Sequence, residues 1–183
     1  MRPNATRLFI VTGRPGAGKT TLLAALHRAG LAVAPEAGRA ITRAQQAIGG
    51  PAGHDRDRRL YLDLMLSWEI RSHQDAIARG GTHLFDRGIP DLLGYCRLTD
   101  LPVPPHLQRA ADLFRYEQTV FILPPWPEIY VRDAERKQGF EEAQRTYECM
   151  REAYLEAGYS LVTVPPEPVE KRSDFVRDAI GAT

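Results

Sequence analysis

Lysine is scarce in this chain: of 24 basic residues 21 are arginine, and the three lysines are Lys19, Lys137 and Lys171. Chemistry that needs an ammonium group has few places to sit. Cysteine is scarcer still. Cys96 and Cys149 lie in separate segments of helical pattern and offer neither a metal-ligand spacing nor a disulfide framework, so free thiols in a reducing, cytoplasmic compartment are expected. An excess of either charge is also missing. The formal charge is +1, from 24 basic and 23 acidic residues, which excludes bulk attraction to nucleic acid. Apolar runs stop at five to eight residues, far below the roughly 20 that span a bilayer. No secretory h-region or cleavage site precedes the first strand-like run.

What the chain does have is the content of a folded domain: 183 residues, 43% hydrophobic and 26% charged, read here as one domain over 1–183. Short apolar runs bounded by turn residues alternate with longer periodic segments, the pattern of an α/β fold with a parallel sheet. Strands are predicted at about 7–12, 31–34, 82–85, 119–123 and 160–164. Helices are predicted at about 19–29, 37–48, 55–79, 91–98, 105–116, 127–136, 140–157 and 169–180. The long helix is apolar on nearly every side through LYLDLMLSWEI, so it should pack against more than one neighbour, with Met65 and Trp68 in the core.

Gly13-Arg14-Pro15-Gly16-Ala17-Gly18-Lys19-Thr20 matches G-x-x-x-x-G-K-[ST] in full, after a predicted strand and at the opening of a helix. That context gives the motif its meaning. The glycines let the backbone curl so that successive N–H groups point at phosphate oxygens, and the helix N-terminus adds partial positive charge. Lys19 would reach the β- and γ-phosphates, with Thr20 on Mg²⁺ and Thr21 beside it at the helix start. No N-K-x-D guanine-reading motif occurs in the sequence, which favours ATP as the triphosphate.

Two carboxylates should share the crevice beyond the strand ends. The third predicted strand runs into Asp86, where a P-loop fold places the acid that holds the Mg²⁺ shell. Arg87 follows at once, and Asp91 lies one turn further on. Glu36 ends the second strand, where a carboxylate could take a proton from an acceptor hydroxyl or orient it. Arg39, three residues on, falls on the same helix face and suits an anionic part of a substrate. Arg132 and Arg136, four apart, are read with Lys137, Gly139 and Arg145 as a lid over about 132–145, closing guanidinium groups on the transferred phosphate. The run Asp55-Arg56-Asp57-Arg58-Arg59 reads as a solvated helix start. His54, His73 and His83 show no metal-ligand spacing.

Taken together, GRPGAGKTTL, PEAGR, FDRGIPDLLGY, Asp133 to Arg136, and EAYLEAGYSLVTVP resemble P-loop kinases of the nucleoside- and nucleotide-kinase type. More narrowly, the chain resembles the NadR-like AAA domain family. The resemblance spans nearly the whole chain, and FDRG-x-PD is more specific than the phosphate loop alone. It implies a three-layer sandwich around a five-stranded parallel sheet of order 2-3-1-4-5. It also implies a Glu after strand two acting as base and an acid–Arg pair after strand three orienting the acceptor, positions matched by Glu36 and by Asp86 with Arg87. Asp86 could thus meet metal or acceptor. Homodimers are common among such kinases, though nothing in the residues demands one.

Two functions follow as expectations. One is a kinase that moves the γ-phosphate of ATP·Mg²⁺ to a small-molecule acceptor: a nucleoside, a nucleotide or a ribosylnicotinamide-like alcohol. In it Lys19, Glu36, Asp86, Arg87 and Arg136 would be catalytic. The cradle would be Gly13 to Thr21 with Arg132, and Glu36, Arg39, Arg87 and Asp91 would face the acceptor. The other is a nucleotide-dependent ATPase or GTPase switch that binds a ligand or protein partner.

Overall fold

The chain enters the fold through RLFIVTG, a run with almost no polar side chain, and a strand of that kind is stable only when both of its faces are covered. In the computed structural model, which describes residues 6–14, 16–124 and 134–182 and leaves the side chains of 134–140 undescribed, this run is β1 (Arg7–Gly13), the central strand. The others are β2 (Ala32–Ala34), β3 (Thr82–Asp86), β4 (Thr119–Leu123) and β5 (Ser160–Thr163). They form one five-stranded sheet of order β2-β3-β1-β4-β5, parallel at every pairing.

Seven helices lie among the described residues: α1 (Lys19–Arg28), α2 (Ala37–Ile48), α3 (Arg58–Arg79), α4 (Ile89–Leu98), α5 (Pro105–Leu113), α6 (Ala134–Glu156) and α7 (Val169–Ile180). Alternation along β1 sorts them into two layers. Leu8 and Ile10 join a core with residues of α2 to α6, while Phe9 and Val11 join one with residues of α1 and α7. The result is a three-layer α/β sandwich. No helix of the described residues is long and apolar enough to cross a membrane.

Helix boundaries differ from the sequence pattern for local reasons. α3 starts at Arg58, three residues late, because Asp57 caps it by accepting from the Leu60 N–H at 2.9 Å. α4 starts two residues early, since Asp91 in its first turn accepts from the Gly88 N–H at 3.0 Å. α5 ends at Leu113, and the chain beyond turns Tyr116 into the core. The break expected at 137–139 is absent: α6 runs through it, since one glycine costs a helix only about 1 kcal/mol. The helix expected at about 127–136 falls mostly outside the described residues. Met65 is buried as predicted, whereas Trp68 is 37% exposed; the buried stripe of α3 runs through Leu62, Met65, Leu66, Glu69, His73 and Ala76 and leaves Trp68 off it. Cys96 and Cys149 are free and buried.

Candidate functional site

Register assembles the site before any side chain is considered. Val11 on β1 lies opposite Asp86 on β3, and Ala34 on β2 lies opposite Phe85. The loop after Gly13, the carboxylate of Asp86 and Glu36 therefore leave the same edge of the sheet, the carboxyl ends of its parallel strands, where such folds bind ligands.

The loop after β1 curls as its glycines permit. Gly13, Gly16 and Gly18 have φ of 134°, 80° and 80°, and a Cβ on Gly13 would stand 2.6 Å from the Leu123 carbonyl oxygen. The Leu22 N–H is bonded to the Gly18 oxygen at 3.0 Å, and the amides preceding it at the helix start have no intrahelical acceptor. They form a preset anion cradle. Lys19 is buried, and its Nζ donates to the Gly13 and Arg14 oxygens, both at 3.3 Å. Burial, aided by the Arg87 charge, lowers its pKa to about 8 against the pull of Asp86, Glu36 and Asp91. Arg14 and Ala17 are buried beside it, Thr20 and Thr21 are exposed, and Pro15 lies outside the described residues.

Arg87 is the hub of the acidic half. Its Nε donates to Glu36 Oε1 at 3.3 Å and its Nη1 to Asp91 Oδ1 at 3.1 Å. Burial works against its charge, but Asp91, Glu36 and Asp86 outweigh burial and raise its pKa, so the guanidinium stays charged. It holds a left-handed backbone, φ 74°, an uncommon conformation for a non-glycine residue. Glu36 also pairs with Arg39 at 3.0 Å, but Arg39 is 60% exposed, so that contact is screened by solvent.

Asp91 faces the cavity with its acceptor positions engaged. Oδ1 accepts from Thr12 Oγ1 at 2.5 Å as well as from Arg87, and Oδ2 accepts from the Gly88 N–H and from the Tyr154 hydroxyl. Asp86 is different. Burial raises its pKa, opposed chiefly by Lys19, and its Oδ1 is buried with no hydrogen-bond partner among the described residues.

Two openings meet here. One, with a cavity volume of about 470 Å³, holds Thr20, Glu36, Arg39, Arg43 and Asp86 on its wall. The other, about 360 Å³, lies between α2, α3, α4 and α6, and Glu36, Glu69, Arg87 and Asp91 face it with Tyr61, Tyr95 and Met150. Glu36 borders both. Of the lid residues, Arg132 lies outside the described residues, Arg136 is placed only by its backbone in the first turn of α6, and Arg145 pairs with Asp100 just past the C-terminal end of α4, at 3.7 Å.

Sequence reasoning did not single out Thr12, Glu69, Tyr154 or Arg172. Arg172 on α7 is buried and donates to the Ala17 oxygen at 3.4 Å, bracing the phosphate loop from behind. Glu69 had a legible signal, an acid at the helical spacing of the apolar stripe of α3. Thr12 and Tyr154 had none, since their partner Asp91 is 79 and 63 residues away in the chain.

Comparison with known proteins agrees with this fold. A family model described as AAA domain matches residues 8–172. Thymidylate kinase from Ehrlichia chaffeensis superposes with a TM-score of 0.63 at 13% identity, covering 96% of this chain and 99% of that one. NadR protein in complex with NR gives 0.64 at 20% identity over 96% of this chain and 50% of that one, so this chain spans half its length. Deoxyadenosine kinase from M. mycoides with bound dATP gives 0.55 at 12% identity over 95% and 99%. These likenesses establish the fold of P-loop kinases. No curated protein matches the sequence.

Proposed function

Since the chain belongs to that AAA domain family and folds as a P-loop kinase, we propose that it transfers the γ-phosphate of ATP to a hydroxyl of a small-molecule acceptor. The observation that carries this reading is the second cavity. An acceptor-sized space opens beside the phosphate cradle and shares Glu36 with the cleft that holds Thr20 and Asp86. A switch read out only by a protein partner has no need of a second, apolar-walled compartment at that place.

The residues divide the work. The cradle amides and Lys19 bind the β- and γ-phosphates and draw charge toward the leaving oxygen. The acceptor hydroxyl enters from the α2–α4 side, attacks γ-phosphorus, and the bond to the β-phosphate oxygen breaks. Its proton passes to a carboxylate, and Glu36, at the border of both cavities, is the nearest in function. Arg87, held charged by Glu36 and Asp91, orients the acceptor, and Asp91 positions Arg87. Arg39 lies at the rim of the nucleotide side, and Arg132 and Arg136 remain candidates for closing over the phosphate.

Mg²⁺ fits the residues present. Among the described residues, Asp86 supplies a buried carboxylate oxygen with no hydrogen-bond partner, Thr20 lies on the same wall, and no cluster of three acidic, His or Cys residues occurs. That sparse donor set suits an ion that keeps water and phosphate ligands. When bound, the ion neutralises phosphate charge.

The test is ADP formation from Mg·ATP with and without nucleosides, nucleoside monophosphates and ribosylnicotinamide, with Lys19→Ala run alongside. Stimulation by one acceptor, lost in the variant, is the expected result. A slow Lys19-dependent rate that no acceptor changes would replace the kinase with a nucleotide switch. Glu36→Gln should lower transfer by 10²- to 10⁴-fold, roughly the size of general-base assistance, with nucleotide affinity nearly unchanged; equal losses in both would make Glu36 structural.

A further inference from the structure

Glu69 is a charged residue type in a place that offers it nothing. It sits on the inner stripe of α3 at 4% exposure and lines the cavity between α2, α3, α4 and α6. Among the described residues it has no hydrogen-bond or ion-pair partner. The groups that act on it most strongly are the acids Asp91, Asp86 and Glu36, opposed by Arg87, and Tyr116 lies close enough to feel its charge. Arg87 already serves Glu36 and Asp91. A buried carboxyl without a partner destabilises a fold, and the isosteric apolar choice, methionine, would fill the same space.

We propose that Glu69 is the recognition group of the acceptor cavity, and that the acceptor is a phosphate-free hydroxyl compound presenting a hydrogen-bond donor, neutral or cationic, to the Glu69 carboxyl. This rests on the kinase reading for the word acceptor, but the binding chemistry stands on the cavity itself. The charge balance of the wall excludes the alternative. Glu36 and Asp91 already engage the one guanidinium among the described lining residues, and Glu69 and Glu142 add two further acids to the wall, so a monophosphate would enter an acid-rich compartment whose cation is already paired. A body of nucleoside size meets instead the apolar and aromatic side chains of Tyr61, Met65, Leu92, Tyr95 and Met150, and a donor on it satisfies the carboxyl that the fold leaves open.

Calorimetric binding of cytidine, adenosine and ribosylnicotinamide, each beside its 5′-monophosphate, tests this on the full chain with the non-hydrolysable ATP analogue and Mg²⁺ present. At least one phosphate-free compound is expected to bind, and its monophosphate at least about tenfold more weakly. Glu69→Met should weaken that binding roughly 10- to 100-fold, the loss of one charged hydrogen bond, while raising the melting temperature of the unliganded protein. Glu69→Gln, which keeps shape and polarity, should weaken ribosylnicotinamide, the cation, more than cytidine. Monophosphates that bind as well as their parents, unchanged affinity in Glu69→Met, a lowered melting temperature in that variant, or no binding by any compound would each overturn the assignment. ADP formation measured in parallel separates the two readings. Binding without turnover sinks the kinase and leaves the cavity assignment standing, whereas phosphorylated monophosphates do the reverse.

Discussion

Lys19 carries the most consequential charge at the site, and its burial sets a pH range for nucleotide binding. Its pKa falls from 10.5 to about 8, first through desolvation and then through Arg87. The unfolded chain keeps the proton up to about 10.5, so between those values the unfolded state binds more protons and this group's contribution to stability rises with pH. Affinity for a triphosphate runs the other way, because only the ammonium form attracts phosphate. Calorimetry from pH 6.5 to 9.5 should show ATP affinity flat below about 8, then falling toward tenfold per pH unit, with proton uptake on binding. Lys19→Met should bind weakly at every pH with no such break. Gly13 makes a second prediction at this scale. Its φ is 134°, and a Cβ added there would come within 2.6 Å of the Leu123 oxygen. Gly13→Ala should therefore lower stability by about 1–3 kcal/mol and weaken nucleotide binding; denaturant unfolding checks the first and calorimetry the second. The turn itself was legible in the sequence because the motif is contiguous: eight neighbouring residues state where the backbone must curl.

Elements were legible where apolar periodicity and turn residues agree, and less so where a side chain from elsewhere fixes the boundary. All five strands were found within two residues at each end, since a strand buried on both faces can hardly be anything but apolar. The start of α4 shows the limit. Its first turn is held by Asp91, which joins β1 through Thr12, the β3–α4 turn through Gly88 and Arg87, and α6 through Tyr154. Only the Gly88 and Arg87 partners are near enough in sequence to be foreseen. The consequence is that Asp91→Ala should act on three elements together. It leaves a buried hydroxyl from Thr12, the Tyr154 hydroxyl and a guanidinium short of an acceptor, and should lower unfolding free energy by on the order of 3 kcal/mol. Tyr154→Phe, which removes one of those donors, should cost about 1 kcal/mol. Near-equal losses in the two variants would show that the network is not shared between elements.

At the scale of the whole molecule, one topological fact places the candidate site. Order β2-β3-β1-β4-β5 with every pairing parallel makes β1 central and sends the chain ends of β1, β2 and β3 to a common edge. A resemblance in the motifs was enough to anticipate that order, but not the cavity between α2, α3, α4 and α6, whose walls come from four helices that no short motif spans. Ligands seated at that edge touch residues of several elements, so binding should stabilise the sandwich as a unit. A nucleotide held at about 100 times its dissociation constant adds about 2.7 kcal/mol, which for a domain of this size raises the melting temperature by roughly 5–10 °C. The non-hydrolysable ATP analogue with Mg²⁺ should give a single, uniformly shifted transition in a thermal melt. Lys19→Ala should melt as cooperatively as the parent but show no shift, because its cradle keeps the sheet and loses the cation. A shift that survives in Lys19→Ala would place the nucleotide elsewhere on the molecule, and a shift confined to part of the transition would mean that the edge and the outer helices unfold apart.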